Sequence, residues 1–99
     1  MSVTMIRAKV KDESVADVEA AVAKMFSAIE EAEPQGVRYA SCRLADGSTF
    51  VILLQLENDT ENPLPAVPEF RQFQESLNGW ISVPPVPDQL TVVGSYRLF

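Results

Sequence analysis

An Asp46-Gly47 step stands between two strand-like runs inside the stretch Arg38 to Leu56, and it limits what the chain can become more than any other feature. Asp-Gly tolerates the positive φ angles of a tight type I′ turn, so the flanking runs are predicted to pair as an antiparallel hairpin. With Asp46 and Gly47 as the turn residues, Ala45 opposes Ser48, Arg43 opposes Phe50, Ser41 opposes Ile52, Tyr39 opposes Leu54 and Val37 opposes Leu56. One face of the hairpin is therefore rich in large apolar groups. The other carries Leu44 with Thr49, Cys42 with Val51, Ala40 with Leu53 and Arg38 with Gln55, and it too is substantially apolar.

The segments on either side supply the rest of a sheet. Val3 to Val10 mixes β-branched and long side chains and reads as a first strand. Asp12 and Ser14 are alternative N-caps for a helix, with Ser14 and Asp17 spaced as a capping box. In that helix Val15, Val18, Val22, Met25, Phe26 and Ile29 recur every three or four residues and form one apolar stripe. Pro34 and Gly36 end it. Beyond the hairpin, the proline-bearing stretch from Glu57 to Pro68 reads as a loop. Pro68 then opens a second helix with Phe70, Phe73 and Leu77 on its apolar side and Asn78-Gly79 as its stop. Pro84, Pro85 and Pro87 are expected to hold an extended connection, and Thr91 to Phe99 reads as the last strand. The order strand, helix, strand, strand, helix, strand is the split βαβ arrangement, an α+β, ferredoxin-like fold with a four-stranded antiparallel sheet. No internal repeat or second domain is visible, so residues 1–99 are expected to form one domain.

Composition narrows the chemistry. Fourteen acidic and eight basic residues give a net charge of −6, which argues against a nucleic-acid backbone or an anionic membrane as partner. The single cysteine, Cys42, cannot form an intramolecular disulfide and reads as a small buried hydrophobe. Without histidine the chain lacks the commonest metal ligand and the commonest general base near neutral pH. Asp59 and Glu61 do not have the spacing or ligand count of a calcium loop, so no metal and no cofactor is assigned. No apolar run approaches the roughly 20 residues a membrane helix needs, and no signal-peptide pattern follows Met1; the expected location is cytoplasmic.

Two helices cover only one face of a four-stranded sheet, and an antiparallel sheet with a wet second face alternates apolar and polar residues more cleanly than this one. A second copy of the chain is the simplest cover, giving two sheets packed face to face in a homodimeric barrel. Element order, length and the two-faced sheet resemble the dimeric α+β barrel superfamily, in particular the small antibiotic-biosynthesis monooxygenase domains. Ile52-Leu53-Leu54-Gln55-Leu56-Glu57-Asn58 is similar to the third strand of that family and its polar exit, and Phe70-Arg71-Gln72-Phe73 falls at the later helix. The resemblance implies a homodimer and a monooxygenase-like activity. Haem-degrading relatives need an axial histidine, which this chain lacks.

Two functional readings follow. In the first, a cofactor-independent, monooxygenase-like enzyme or binder holds a small aromatic or polyketide-like molecule between sheet and helices. Tyr39, Phe50 and Trp80 contact its rings, and a strand arginine, Arg38 or Arg43, polarises it through a guanidinium fork. Arg7 and Arg97 are further strand arginines. Such an oxygenase needs from the protein mainly desolvation and oxyanion-stabilising donors. In the second reading the chain is a non-catalytic dimerisation or ligand-sensing module. The glycine-bearing turn of ACT-type regulatory domains is absent after the first strand, where Lys11-Asp12-Glu13-Ser14 stands.

Overall fold

The computed structural model describes residues 2–57 and 61–98. Four strands and two helices follow one another as β1 (Ser2–Val10), α1 (Val15–Ala32), β2 (Val37–Arg43), β3 (Thr49–Leu56), α2 (Pro68–Leu77) and β4 (Ile81–Thr91). The strands form one sheet in the order β2-β3-β1-β4, antiparallel throughout. This is the ferredoxin-like α+β architecture.

The hairpin keeps the expected register, from Val37 against Leu56 to Arg43 against Phe50, but its turn is built differently. The Gly47 N–H donates to the Leu44 carbonyl at 3.0 Å, which makes Ala45 and Asp46 the central pair. Gly47 alone takes a left-handed φ of 86°, and Asp46 does not. The Asp46 carboxylate explains the change. Its oxygens accept the Ser48 and Thr49 N–H groups at 3.0 and 2.9 Å and the Thr49 hydroxyl at 2.6 Å. Those three bonds lengthen the loop symmetrically, so the strand register survives.

The helices cover one face. Val18 and Met25 of α1, Phe70 and Phe73 of α2, and Val10 and Phe50 of the sheet are buried in one cluster, against which Val37, Tyr39 and Leu54 pack. Side chains alternate along a strand. Hence the even positions of β1 and β3 and the odd positions of β2 face the helices. The connection after β3 is more than a loop, because a 3₁₀ turn at Leu64–Ala66 drives Leu64 completely into the core. Its amide is held at 3.0 Å by the Asn62 side-chain oxygen.

Three expectations change at the element ends. Helix α1 is entered through a 3₁₀ turn, Asp12–Ser14, in which Ser14 already has helical angles and is buried. Its hydroxyl makes no capping bond, because a side-chain cap requires an extended residue there. At the other end Glu33, rather than a glycine, takes the left-handed conformation, with φ 47° and ψ 52°. The last strand is Ile81–Thr91, not Thr91 to Phe99, and it contains all three prolines of the expected connection. As an edge strand β4 pairs only with β1, so residues without an N–H are tolerated on its free side. Arg7 pairs with Val86 and Lys9 with Val83, leaving Pro84 and Pro85 as a bulge opposite Ala8. Residues 92–98 follow outside the sheet. Phe99 and the acidic residue Asp59 lie outside the described residues.

Candidate functional site

Strand parity assigns Val3, Met5, Arg7 and Lys9 of β1 to the sheet face that no helix covers. Arg38, Ala40 and Cys42 of β2, Thr49, Val51, Leu53 and Gln55 of β3, and Val83, Val86, Asp88 and Leu90 of β4 share it by register. Of the seven large apolar side chains exposed among the described residues, Leu44 stands apart; the other six are Val83, Val86 and Leu90 on β4 and Val93, Tyr96 and Leu98 just after it. Apolar exposure is thus concentrated at one edge of the helix-free face and in the segment leaving it.

On this face a hollow of about 300 Å³ opens beside the proline bulge, lined by Arg7, Lys9, Thr49, Val83, Pro84, Val86 and Asp88. Arg7 and Lys9 are two residues apart on β1 and so project on the same side. Each has its β4 partner, Val86 or Val83, as apolar wall. The ion pair formed among the described residues joins Arg43 to Glu19, leaving Arg7 and Lys9 without a bonded acid. Lys9 does act at a distance on Asp46. That carboxyl is lowered to about 2, first by the Thr49 hydroxyl, then by the Thr49 and Ser48 N–H groups, with a smaller contribution from Lys9.

A second feature lies at the opposite end of the same face. Gln55, opposite Val3 and Arg38, is only 2% exposed, and neither polar atom of its amide has a hydrogen-bond partner among the described residues. Val3 is buried beside it and lines a separate hollow with residues 90–96 and Leu98, so the C-terminal segment turns back near this corner.

Of the five residues singled out from the sequence, Tyr39, Phe50 and Trp80 share the helix-facing core, Arg43 borders that side at the end of β2, and Arg38 lies on the opposite face. Tyr39 and Phe50 belong to the helix-facing core, where Tyr39 stacks on Phe26 with centroids 5.2 Å apart and meets the edge of Phe70 at 6.0 Å. Burial pushes the Tyr39 phenol up to about 12, so it stays protonated through the neutral range. Trp80 is half-buried against the same core, and its carbonyl accepts the Lys11 N–H at 2.8 Å. Arg43 is held by Glu19 of α1 at the end of β2. Arg38 is exposed on the other side of the sheet, across β3 from Val3 and four residues along from the level of Arg7. Cys42, expected to be buried, is exposed there too, because its position on the edge strand β2 points away from the helices. Arg97 lies over the Tyr96 ring at 5.1 Å, beyond the sheet.

Lys9, Thr49, Val83, Val86, Asp88 and Gln55 were not recognised from sequence as site residues. Alternation in β1 carried a signal for Lys9, but Asp88 and the two valines were hidden in a segment read as a proline connection. Among the described residues, no three His, Cys, Asp or Glu side chains converge as a metal site, and no helix is long and apolar enough to cross a membrane.

No model of a known protein family matches the chain, and no curated protein matches it in sequence. Solved structures do match in fold. A candidate antibiotic biosynthesis monooxygenase from Nitrosomonas europaea superposes with a TM-score of 0.74 at 19% identity over 95% of this chain and 100% of its own. One from Bacteroides thetaiotaomicron gives 0.77 at 16%, over 93% and 89%. SnoaB, a cofactor-independent oxygenase from Streptomyces nogalater, gives 0.67 at 20%, over 97% of each chain. At such identities the likeness is one of fold: the chain has the architecture of the antibiotic-biosynthesis-monooxygenase-like domains.

Proposed function

We propose that the protein is a cytoplasmic homodimer that binds a small aromatic or polyketide-like molecule and oxygenates it without a cofactor. The observation that carries the reading is the helix-free sheet face, which is apolar, bordered by exposed Val83, Val86 and Leu90, and interrupted by a hollow bearing two cations. A second copy packed on that face would remove the apolar edge from water and enclose the hollow. The oxygenase fold shared with SnoaB supports the choice of chemistry.

Among the described residues, the hollow holds one carboxylate, Asp88, and no stronger base. Histidine is absent, and Tyr39 is locked in the core as a neutral phenol. The substrate must therefore ionise by virtue of its own acidity. A methylene between two aromatic rings that are also joined through a carbonyl loses a proton to solvent, the carbanion is oxidised by dioxygen with formation of a C–O bond, and the peroxide anion takes a proton back. The peroxide then loses water to leave a new carbonyl, so that one substrate and one dioxygen give one ketone and one water. Arg7 and Lys9 stabilise the anion, and the closed dimer keeps it dry.

Sedimentation equilibrium at low micromolar concentration tests the assembly and should give twice the chain mass; a folded monomer there refutes it. Oxygen uptake with a hydroxylated anthrone, compared with its uncatalysed autoxidation, tests the chemistry. Saturable acceleration is expected. Binding of the anthrone with no acceleration favours instead the ligand-sensing module, a reading that the missing base also suits.

A further inference from the structure

The charges of this chain are unevenly placed. Although acids outnumber bases fourteen to eight, the strand positions of the helix-free face carry Arg7, Lys9 and Arg38 against a single acid, Asp88. Arg38 sits at the far end of the face, against Gln55. Around the hollow Arg7 and Lys9 meet Asp88, with the hydrogen-bonded Asp46 carboxylate near Lys9. A pair of adjacent cations without a bonded acid among the described residues is an attractive site for an anion. It is also an obstacle to packing two such faces together, since each copy would set its cations against those of the other.

We propose that the hollow beside the proline bulge is a binding site for an aromatic monoanion, a carboxylate or phenolate on a flat apolar ring. The proposal rests on the small-molecule reading of this face and adds to it the charge and shape of the ligand. Arg7 and Lys9 project from alternate positions of one strand, roughly 7 Å apart by strand geometry. An ionised oxygen pair between them can accept from the Arg7 guanidinium and the Lys9 ammonium at once, in the charge-assisted bonds that are the strongest available to either. Asp46 does not compete for that role, because its oxygens already accept three hydrogen bonds from Ser48 and Thr49.

The remaining walls select the rest of the ligand. Val83, Pro84 and Val86 present a rigid apolar surface, fixed by the bulge that Pro84 and Pro85 make opposite Ala8. A ring laid on it leaves water, and its lowered surroundings strengthen the ion contacts. A bare inorganic anion would leave that surface unused. Asp88 lies further along β4, paired with Met5, and disfavours a second negative charge on the ligand. A volume of about 300 Å³ is at the small end of ligand pockets and suits a flat ligand of two or three fused rings. Two anions held between two copies would also offset the facing cations, so occupancy should favour the dimer.

The test is calorimetric titration of the full chain at low salt with 2-naphthoate and with uncharged 2-naphthamide. We expect 2-naphthoate to bind, 2-naphthamide to bind at least roughly tenfold more weakly, and Arg7→Gln or Lys9→Gln to weaken 2-naphthoate by about tenfold or more. Asp88→Asn should tighten it about two- to fivefold. Lys24→Gln, a helix position remote from this face, should change nothing. Both cations are on the sheet surface, and a far-ultraviolet spectrum with an unfolding midpoint for each variant shows that the fold is kept. Equal binding of the two compounds overturns the charge assignment and leaves a small-molecule site standing. Binding of 2-naphthoate that Arg7→Gln and Lys9→Gln do not weaken overturns the location. Failure of both compounds to bind overturns this proposal, while the small-molecule reading of the face is decided separately by anthrone binding and oxygen uptake.

Discussion

The buried phenol of Tyr39 makes the stability of this protein depend on alkaline pH in a way that one substitution removes. Its ring is stacked on Phe26 and edge-on to Phe70, and burial raises its pKa from 10.0 to about 12. The folded state therefore holds the phenolic proton more tightly than the unfolded chain does. The stabilisation linked to it is complete below pH 10 and is lost as the pH climbs through 12, since only the unfolded chain gains from ionising in that window. For a two-unit gap the loss is about 1.4 kcal/mol at pH 11 and about 2.3 kcal/mol at pH 12, approaching about 2.7 kcal/mol beyond. In Tyr39→Phe the ring contacts remain and the ionisable group is gone. No hydrogen bond joins the Tyr39 hydroxyl to the described residues, so at pH 7 the variant should match the parent within about 0.5 kcal/mol. Urea unfolding of both proteins at pH 8, 10, 11 and 12 measures the effect as a difference of differences, which cancels the titration of lysines common to both. The parent should fall progressively below Tyr39→Phe above pH 10. Parallel curves for the two proteins out to pH 12 would show that the phenol is not buried as described.

Asp46 works in the opposite direction: with its carboxyl lowered from 3.8 to about 2 by the bonds from Thr49 and Ser48, its contribution is present above pH 3.8 and disappears as the pH falls through 2. Asp46→Asn should flatten the acid limb of the stability profile in that window, and an unchanged limb in urea titrations would contradict the turn geometry. Glu33→Gly should raise stability by about 0.5–1 kcal/mol, because glycine relieves the left-handed strain and removes a carboxylate from the negative end of α1. A urea midpoint that does not rise counts against it. Gln55→Leu should stabilise the chain by about 1 kcal/mol by removing a buried amide that has no partner among the described residues; a lower midpoint in the assembled protein would show that the amide is paired there.

The hairpin register, the apolar stripes of both helices and the order of elements were legible in the sequence because they are local or nearly so. Alternation across Asp46-Gly47 fixes which of Tyr39, Phe50 and Leu54 share a face, whatever the turn is made of. Periodicity likewise marks Val18, Met25, Phe70 and Phe73 as the buried sides of α1 and α2. What pairs with what over long separations was not so encoded. Three prolines look like a connection until β1 supplies an edge for β4 to lie against, and that pairing brings Asp88 within the neighbourhood of Arg7, 81 residues earlier in the chain. The same sheet closure separates residues that composition alone would group. Aromatic Tyr39 and Phe50 go to the helix side because packing fills that space with Phe26 and Phe70, while Arg7, Lys9 and Arg38 go to the other because parity leaves them no choice. Local patterns therefore determine the elements and their faces, and the non-local pairing of β1 with β3 and β4 decides which faces meet and where a charged hollow is left open.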